Sequence, residues 1–108
     1  MKLLDVWINC PDADHARRIA ERLVEVRLAA CANIYAPIES VYRWQGAIER
    51  AREVPLLVKT RAELFDKVAA AARALHPDET PAIHAVEAAA VTADYLAWAY
   101  AETAGPGA

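Results

Sequence analysis

The chain has 108 residues, and 56% of them are hydrophobic although only 7% are aromatic. This length fits one domain, which we expect to cover residues 1–108, and the alanine-rich composition provides few large side chains for its core. The formal net charge of −3 disfavours a nucleic-acid partner, since such proteins carry a basic excess on one face.

The two cysteines, Cys10 and Cys31, limit the redox and metal chemistry of the chain. They form no C-x-x-C motif and have no companion cysteine or histidine at zinc-site spacing. We expect free thiols, as is usual without a secretion signal, with a disulfide as the alternative. The sequence shows no signal peptide and no apolar run of the ~20 residues that a membrane span needs. We therefore expect a cytoplasmic protein without a membrane partner.

The first part of the chain predicts a strand and an amphipathic helix. The segment from Leu3 to Asn9 is short and apolar and is bounded by Pro11, which is typical of a strand. Asp12 can cap the helix because its carboxylate accepts backbone N–H groups of the first turn. The apolar residues of this helix recur at helical spacing: Ala16, Ile19, Ala20, Leu23 and Val24. One face of the helix must therefore pack on the rest of the fold.

A long hairpin is predicted next. Residues 30–44 are predicted to be extended, with a bulge or a locally unpaired edge at Pro37 because proline cannot donate to a strand ladder. Gly46 provides the turn, and we expect it to adopt a backbone conformation that is closed to other residues. Residues 48–60 return as the partner strand. Strands of this length extend beyond one sheet, which favours pairing or packing with another copy of the chain.

The last part predicts a helix, a strand and a terminal helix. Thr60 and Glu63 match a capping box at the start of the first helix, which a His-Pro pair ends. Residues 83–91 predict the last strand. Thr92 can cap the final helix, which is predicted to end before Gly105. The order is β-α-β-β-α-β with a terminal helix, so we expect a ferredoxin-like α+β fold with an antiparallel sheet.

Five segments follow one another along nearly the whole chain, in register with the predicted helices and strands. They are Pro11-Asp12 through Asn33-Ile34, Ser40-Val41-Tyr42-Arg43-Trp44-Gln45-Gly46 with Ile48-Glu49, Glu53-Val54 through Thr60, His76-Pro77 with Pro81 and Ile83, and Tyr95-Leu96 with Trp98. Each segment alone is a weak signal. Taken together, they resemble the CutA family of divalent-cation tolerance proteins.

The resemblance implies a homotrimer of ferredoxin-like subunits, similar in shape to the PII signalling proteins. It also implies a response to metal ions and tolerance to divalent cations, with binding of copper(II) or another divalent cation. No enzymatic activity is established for the family, so we expect no catalysis and no catalytic residues. The chain agrees, because it shows no Ser-His-Asp arrangement, phosphate loop or metalloprotease motif.

The chain departs from the family at the positions where the resemblance implies copper ligands. Those ligands correspond to Ile8, Leu75 and Ala82, and none of these side chains can bind a metal. Asp78 stands where the family commonly has tyrosine. Cys10 follows two residues after Ile8 and would share its face of a straight strand, so it is a candidate replacement ligand.

Two further sets of residues are candidates for binding. His76 is a candidate metal ligand or anion contact near the subunit boundary, or else a helix-terminal histidine that hydrogen-bonds the last carbonyl groups. Tyr42, Trp44 and Lys59 are candidates to line an intersubunit cleft, where aromatic walls and one cation suit a small anion. Alternatively, Tyr42 and Trp44 are packing residues of the hairpin. Trp98 is predicted to pack in the core.

Three functions are compatible with these residues. The first is a trimeric metal-tolerance protein that acts by binding rather than by turnover. The second is a PII-like sensor of a small anionic metabolite that binds between subunits. The third is a rigid structural trimer whose role depends on a protein partner. Ion titration, metabolite screening and partner capture separate these functions.

Overall fold

A computed structural model describes residues 1–103, which form five strands and three α-helices. In chain order they are β1 (Leu3–Cys10), α1 (Ala13–Glu25), β2 (Cys31–Ile34), β3 (Ile38–Trp44), β4 (Ala47–Arg61), α2 (Phe65–Leu75), β5 (Ile83–Glu87) and α3 (Ala93–Glu102). The predicted ferredoxin-like α+β fold is confirmed, although β5 is shorter than the predicted 83–91. The predicted helix stop at Gly105 lies outside the described residues. None of the helices within residues 1–103 is long and apolar enough to span a membrane.

The sheet is antiparallel, with the strand order β2-β4-β1-β5. The longest strand, β4, belongs to two parts of the molecule. From Val54 onward it pairs with β1 and β2, whereas its first half pairs with β3. The hairpin of β3 and β4 therefore projects from the sheet, and the described chain measures 45 × 29 × 23 Å.

The predicted bulge or unpaired edge at Pro37 is a gap between two strands, β2 and β3. Residues 35–37 lie outside the strands, and the backbone N–H of Tyr35 donates to the carbonyl of Pro55 at 2.9 Å. Proline has no N–H group, so the ladder cannot continue through it. The second strand of the ferredoxin-like order is thus divided into β2 and β3.

A two-residue turn closes the hairpin. Gln45 and Gly46 both have positive φ angles, 48° and 81°. Positive φ at both central positions is the mark of a type I′ turn, whose twist matches that of the flanking strands. The prediction for Gly46 is confirmed. The positive φ of Gln45 was not predicted, because glutamine rarely adopts a left-handed conformation.

The hydrophobic core lies between α1, α2 and one face of the sheet. Alternate residues of the two central strands line this face: Val6, Ile8 and Cys10 from β1, and Val54, Leu56 and Val58 from β4. The carboxylate of Asp12 accepts the backbone N–H of His15 at 2.8 Å, which confirms the predicted cap of α1. Val24 is 44% exposed, so the prediction that it faces the core is wrong.

Thr60 is a buried strand residue and not a helix cap. Its hydroxyl donates to the carbonyl of Leu28 at 2.7 Å. Arg61 is the N-cap residue of the short 3-10 turn Ala62–Leu64, and its side chain makes no capping hydrogen bond. The predicted capping box of Thr60 and Glu63 is therefore wrong, because β4 continues past Thr60.

The helix α3 lies against β4 on the sheet face that α1 and α2 leave free. Arg61 fastens it by donating to the Thr103 hydroxyl at 3.1 Å and to the carbonyl of Tyr100. Trp98 stays 45% exposed, so its predicted core packing is wrong within one chain. We call the rest of this face the open face, and it carries Asp5, Trp7, Tyr35, Lys59, His84 and Val86.

Candidate functional site

Cys10 is the last residue of β1, and its side chain is fully buried. It lies on the same face as Ile8, as strand alternation predicts. Burial raises the pKa of the Cys10 thiol to about 11. The negative charges of Asp12, Glu53 and Asp78 add to this effect. The thiol is therefore protonated at neutral pH, whereas a metal ion binds the thiolate.

His76 follows α2, and both nitrogen atoms of its buried ring are engaged. Nδ1 accepts the backbone N–H of Asp78 at 3.1 Å, so the ring is the neutral Nε2–H tautomer. Nε2 then donates to the carbonyl oxygen of Asn9 at 2.7 Å. His76 is a helix-terminal histidine, as one interpretation predicts. Its ring, however, binds β1 rather than the last carbonyl groups of α2.

The structure brings Cys10 and His76 to the same end of β1, because the carbonyl that His76 binds belongs to the residue before Cys10. Their donor types, thiol and imidazole with carboxylates nearby, suit copper or zinc. Both are engaged internally, however, and no group of three or more metal-ligating side chains within residues 1–103 is arranged to hold an ion. Their role as ligands stays a prediction.

Tyr42 and Trp44 lie on the projecting hairpin. They are two residues apart on β3, so they share one face, opposite Glu49 and Ala47 of β4. Their side chains are 44% and 38% exposed. The hairpin of a single chain therefore does not bury them.

Lys59 lies far from these aromatic residues within one chain. It follows ten positions after Glu49, the partner of Tyr42, which is roughly 33 Å along β4. Only residues from two copies of the chain can therefore combine Lys59 with Tyr42 and Trp44. The intersubunit cleft stays a prediction.

On the open face, Lys59 lies between Asp5 of β1 and Cys31 of β2. Its Nζ is 5.9 Å from the centre of the Tyr95 ring of α3, within the range of a cation–π contact. Burial and the nearby Cys31 raise the pKa of Tyr95. Lys59 is thus a half-buried cation beside an aromatic ring.

A groove at the base of the hairpin was not predicted from the sequence. It has a volume of about 300 Å³ and is lined by Pro37, Ile38, Glu39, Arg50, Ala51 and Arg52. Nη1 of Arg50 lies 3.5 Å from Oε1 of Glu39, and Arg52 is the direct cross-strand partner of Glu39. The two-residue spacing of the arginines was the available signal. The register that places Glu39 beside both of them is not readable from the sequence.

These residues define a ferredoxin-like α+β protein with an open sheet face and a projecting hairpin. The family described as CutA1 divalent ion tolerance protein matches residues 4–102. The chain therefore belongs to the CutA1 divalent ion tolerance protein family.

Relatives and solved structures agree with this family. The divalent-cation tolerance proteins CutA of Thermus thermophilus and Archaeoglobus fulgidus are 45% and 42% identical over 93 residues, which cover 86% of this chain and 90% of each relative. The solved structure of the divalent cation tolerance protein Cut A1 from Thermus thermophilus matches with a TM-score of 0.91 at 42% identity. That match covers 94% of this chain and 98% of the other.

Proposed function

We propose that this protein contributes to divalent-cation tolerance by binding the ion as a homotrimer, without catalysing a reaction. Family membership supports the role in tolerance. The observation that carries the binding is electrostatic: Asp12, Glu53 and Asp78 all place negative charge at Cys10, at the end of β1. Because Cys10 and His76 lie at the same end of β1, this negative potential would attract a divalent cation toward both side chains.

Cys10 and His76 are the proposed ligands for copper(II) or another divalent cation. Cys10 must lose its proton, and His76 must release the N–H of Asp78 or the carbonyl of Asn9. Binding is therefore coupled to proton release and to a rearrangement at the end of α2. The affinity should rise with pH.

Calorimetric titration of copper(II), zinc(II) and cobalt(II) into chelator-washed protein tests this proposal. We expect saturable heat at a fixed ratio per subunit, which is lost in Cys10→Ala or His76→Ala. Cys31→Ala and His84→Ala are matched controls, because they remove the same donor types from strands β2 and β5. The proposal is contradicted if no ion gives saturable heat, or if only the controls lose it. Circular dichroism confirms that each variant folds.

Apolar surface that one chain leaves exposed supports the homotrimer. The large hydrophobic residues that stay exposed on the hairpin, the open face and α3 are Tyr35, Ile38, Val41, Tyr42, Trp44, Ile48, Val86 and Trp98. Extended apolar surface is typical of interaction sites, and an isolated two-stranded ribbon is marginal in water. Light scattering should give three times the chain mass of 11.8 kDa. A monomer would contradict the proposal.

A second candidate function is PII-like sensing of a small anionic metabolite in an intersubunit cleft. The specific observation is the position of Lys59, a cation beside Tyr95 on the open face and remote from the hairpin of its own chain. In a homotrimer, a neighbouring hairpin would supply Tyr42 and Trp44 as aromatic walls. The cleft would then require two chains.

A thermal-shift screen of nucleotides and organic acids would find the ligand, and mixed trimers would locate it. Lys59→Met chains and Tyr42→Ala/Trp44→Ala chains should each fail to bind. When the two are refolded together, some clefts combine an intact half from each chain, so part of the binding should return. Mixing either kind of chain with chains that carry all three substitutions should restore no binding. A blank screen, or mixtures that never recover, would contradict this function.

A further inference from the structure

One face of the projecting hairpin is strongly basic. The strand register places Arg43, Arg50 and Arg52 on the same face as Glu39, so this face carries three guanidinium groups and one carboxylate. The opposite face of the hairpin carries Ile38, Ser40, Tyr42, Trp44, Glu49 and Glu53. In a chain with a net charge of −3, this basic face is a local concentration of positive charge.

The groove at the hairpin base lies beside Arg50 and Arg52. Glu39 pairs with Arg50 at 3.5 Å, and their side chains are 74% and 71% exposed, so the pair contributes little. Within residues 1–103, Arg52 makes no ion pair of 4.0 Å or less. A positive charge without a partner thus lies at a cavity of about 300 Å³, the lower end of the range for ligand sites.

We propose that this groove binds a small soluble oxyanion with two or more negative charges, a polycarboxylate or a phosphate. Guanidinium groups present paired N–H donors that match the oxygen atoms of both anions. The anion engages Arg52 and displaces Glu39 from Arg50, beside the apolar ring of Pro37. The site is complete within one chain. It therefore does not depend on the metal ligands or on the intersubunit cleft.

Calorimetric titration with citrate and, separately, with inorganic phosphate tests the groove and distinguishes the two anion classes. We expect saturable heat with at least one anion, and weaker binding in high salt because the site is exposed. Arg52→Gln should weaken binding about tenfold or more, since it removes charge-assisted hydrogen bonds. Glu39→Gln should strengthen binding, because it removes the carboxylate that competes for Arg50. A purely structural role for Glu39 predicts no such gain.

Two variants serve as controls. Arg43→Gln removes the same charge from the same face outside the groove, so it should weaken binding less than Arg52→Gln. Lys59→Met alters the proposed cleft and should leave groove binding unchanged. The proposed groove site is overturned if neither anion gives saturable heat. It is also overturned if Arg43→Gln and Arg52→Gln weaken anion binding equally, or if Glu39→Gln does not strengthen it. Loss in Lys59→Met alone would assign the anion to the cleft and also overturn the groove.

Discussion

The buried thiol of Cys10 should make the protein less stable in alkaline solution. Its pKa is raised from 9.0 to about 11 in the folded state, chiefly by burial. The folded state therefore favours the protonated thiol, and this stabilisation is complete below pH 9.0 and is lost as the pH rises toward 11. In that window the free energy of unfolding should fall by up to about 1.4 kcal/mol per pH unit more than in Cys10→Ala.

Urea denaturation at a series of pH values measures this slope. Cys31→Ala is the matched control, because it removes a thiol and leaves Cys10 in place. Comparing slopes rather than absolute stabilities removes the cost of the cavity that Cys10→Ala creates. Equal slopes in the wild type and in Cys10→Ala would show that the thiol is not the titrating group.

His76 joins the end of α2 to the end of β1 through a neutral ring. His76→Ala would leave the carbonyl of Asn9 and the N–H of Asp78 without their ring partners. We expect the free energy of unfolding to fall by about 2 kcal/mol. Leu75→Ala is a neighbouring control, since Leu75 is 40% exposed and should cost less.

The tautomer of His76 gives an independent measurement. Nitrogen-15 NMR of the imidazole should place the proton on Nε2, because Nδ1 accepts the N–H of Asp78. A proton on Nδ1 at neutral pH would contradict the contacts described for this ring.

Between β3 and β4, the turn depends on two left-handed residues. Gly46→Ala should destabilise the protein by about 1 kcal/mol, because a residue with a Cβ is strained at a positive φ. No atom lies within 4 Å of a Cβ placed there, so the cost is conformational rather than steric. Gln45→Asn should stabilise it, since Asn-Gly favours a type I′ turn.

Denaturation at a fixed chain concentration checks both changes in the turn, because the stability of an oligomer depends on concentration. The two variants should move the unfolding midpoint in opposite directions. A shift in the same direction for both would mean that the turn conformation does not control the stability of the hairpin.

Local sequence signals predicted those helices and strands whose geometry is set by nearby residues. The cap at Asp12, the break at Pro37 and the turn at Gly46 all follow from the backbone chemistry of single residues. The capping box predicted at Thr60 was wrong. Its capping motif is local, but the extension of β4 and the hydrogen bond to Leu28 are tertiary and override it.

The candidate sites were harder to predict for the same reason. Strand alternation placed Cys10 on the face of Ile8, but its burial and the contacts of His76 depend on how α2 ends against β1. The groove at Arg50 depends on the register between β3 and β4, which the sequence does not specify locally. Distance along β4 separates Lys59 from Tyr42 within one chain, so the predicted intersubunit cleft needs residues from two copies.

The two faces of the sheet differ in what covers them, and this difference predicts where the molecule assembles. α1 and α2 cover one face, while the open face keeps Val86 53% exposed on β5. Val24 has a similar exposure of 44% but lies on α1, outside its buried residues. If copies pack through the open face, a carboxylate introduced at Val86 would be buried beside Asp5, its cross-strand neighbour, which is costly.

Val86→Glu should therefore reduce the mass measured by light scattering below that of the proposed homotrimer, whereas Val24→Glu should keep that mass. Both changes replace an exposed valine with the same anion, but they place it on different surfaces. Circular dichroism should show that each variant keeps its helices and strands. If both variants kept the full mass, the open face would not be the assembly surface.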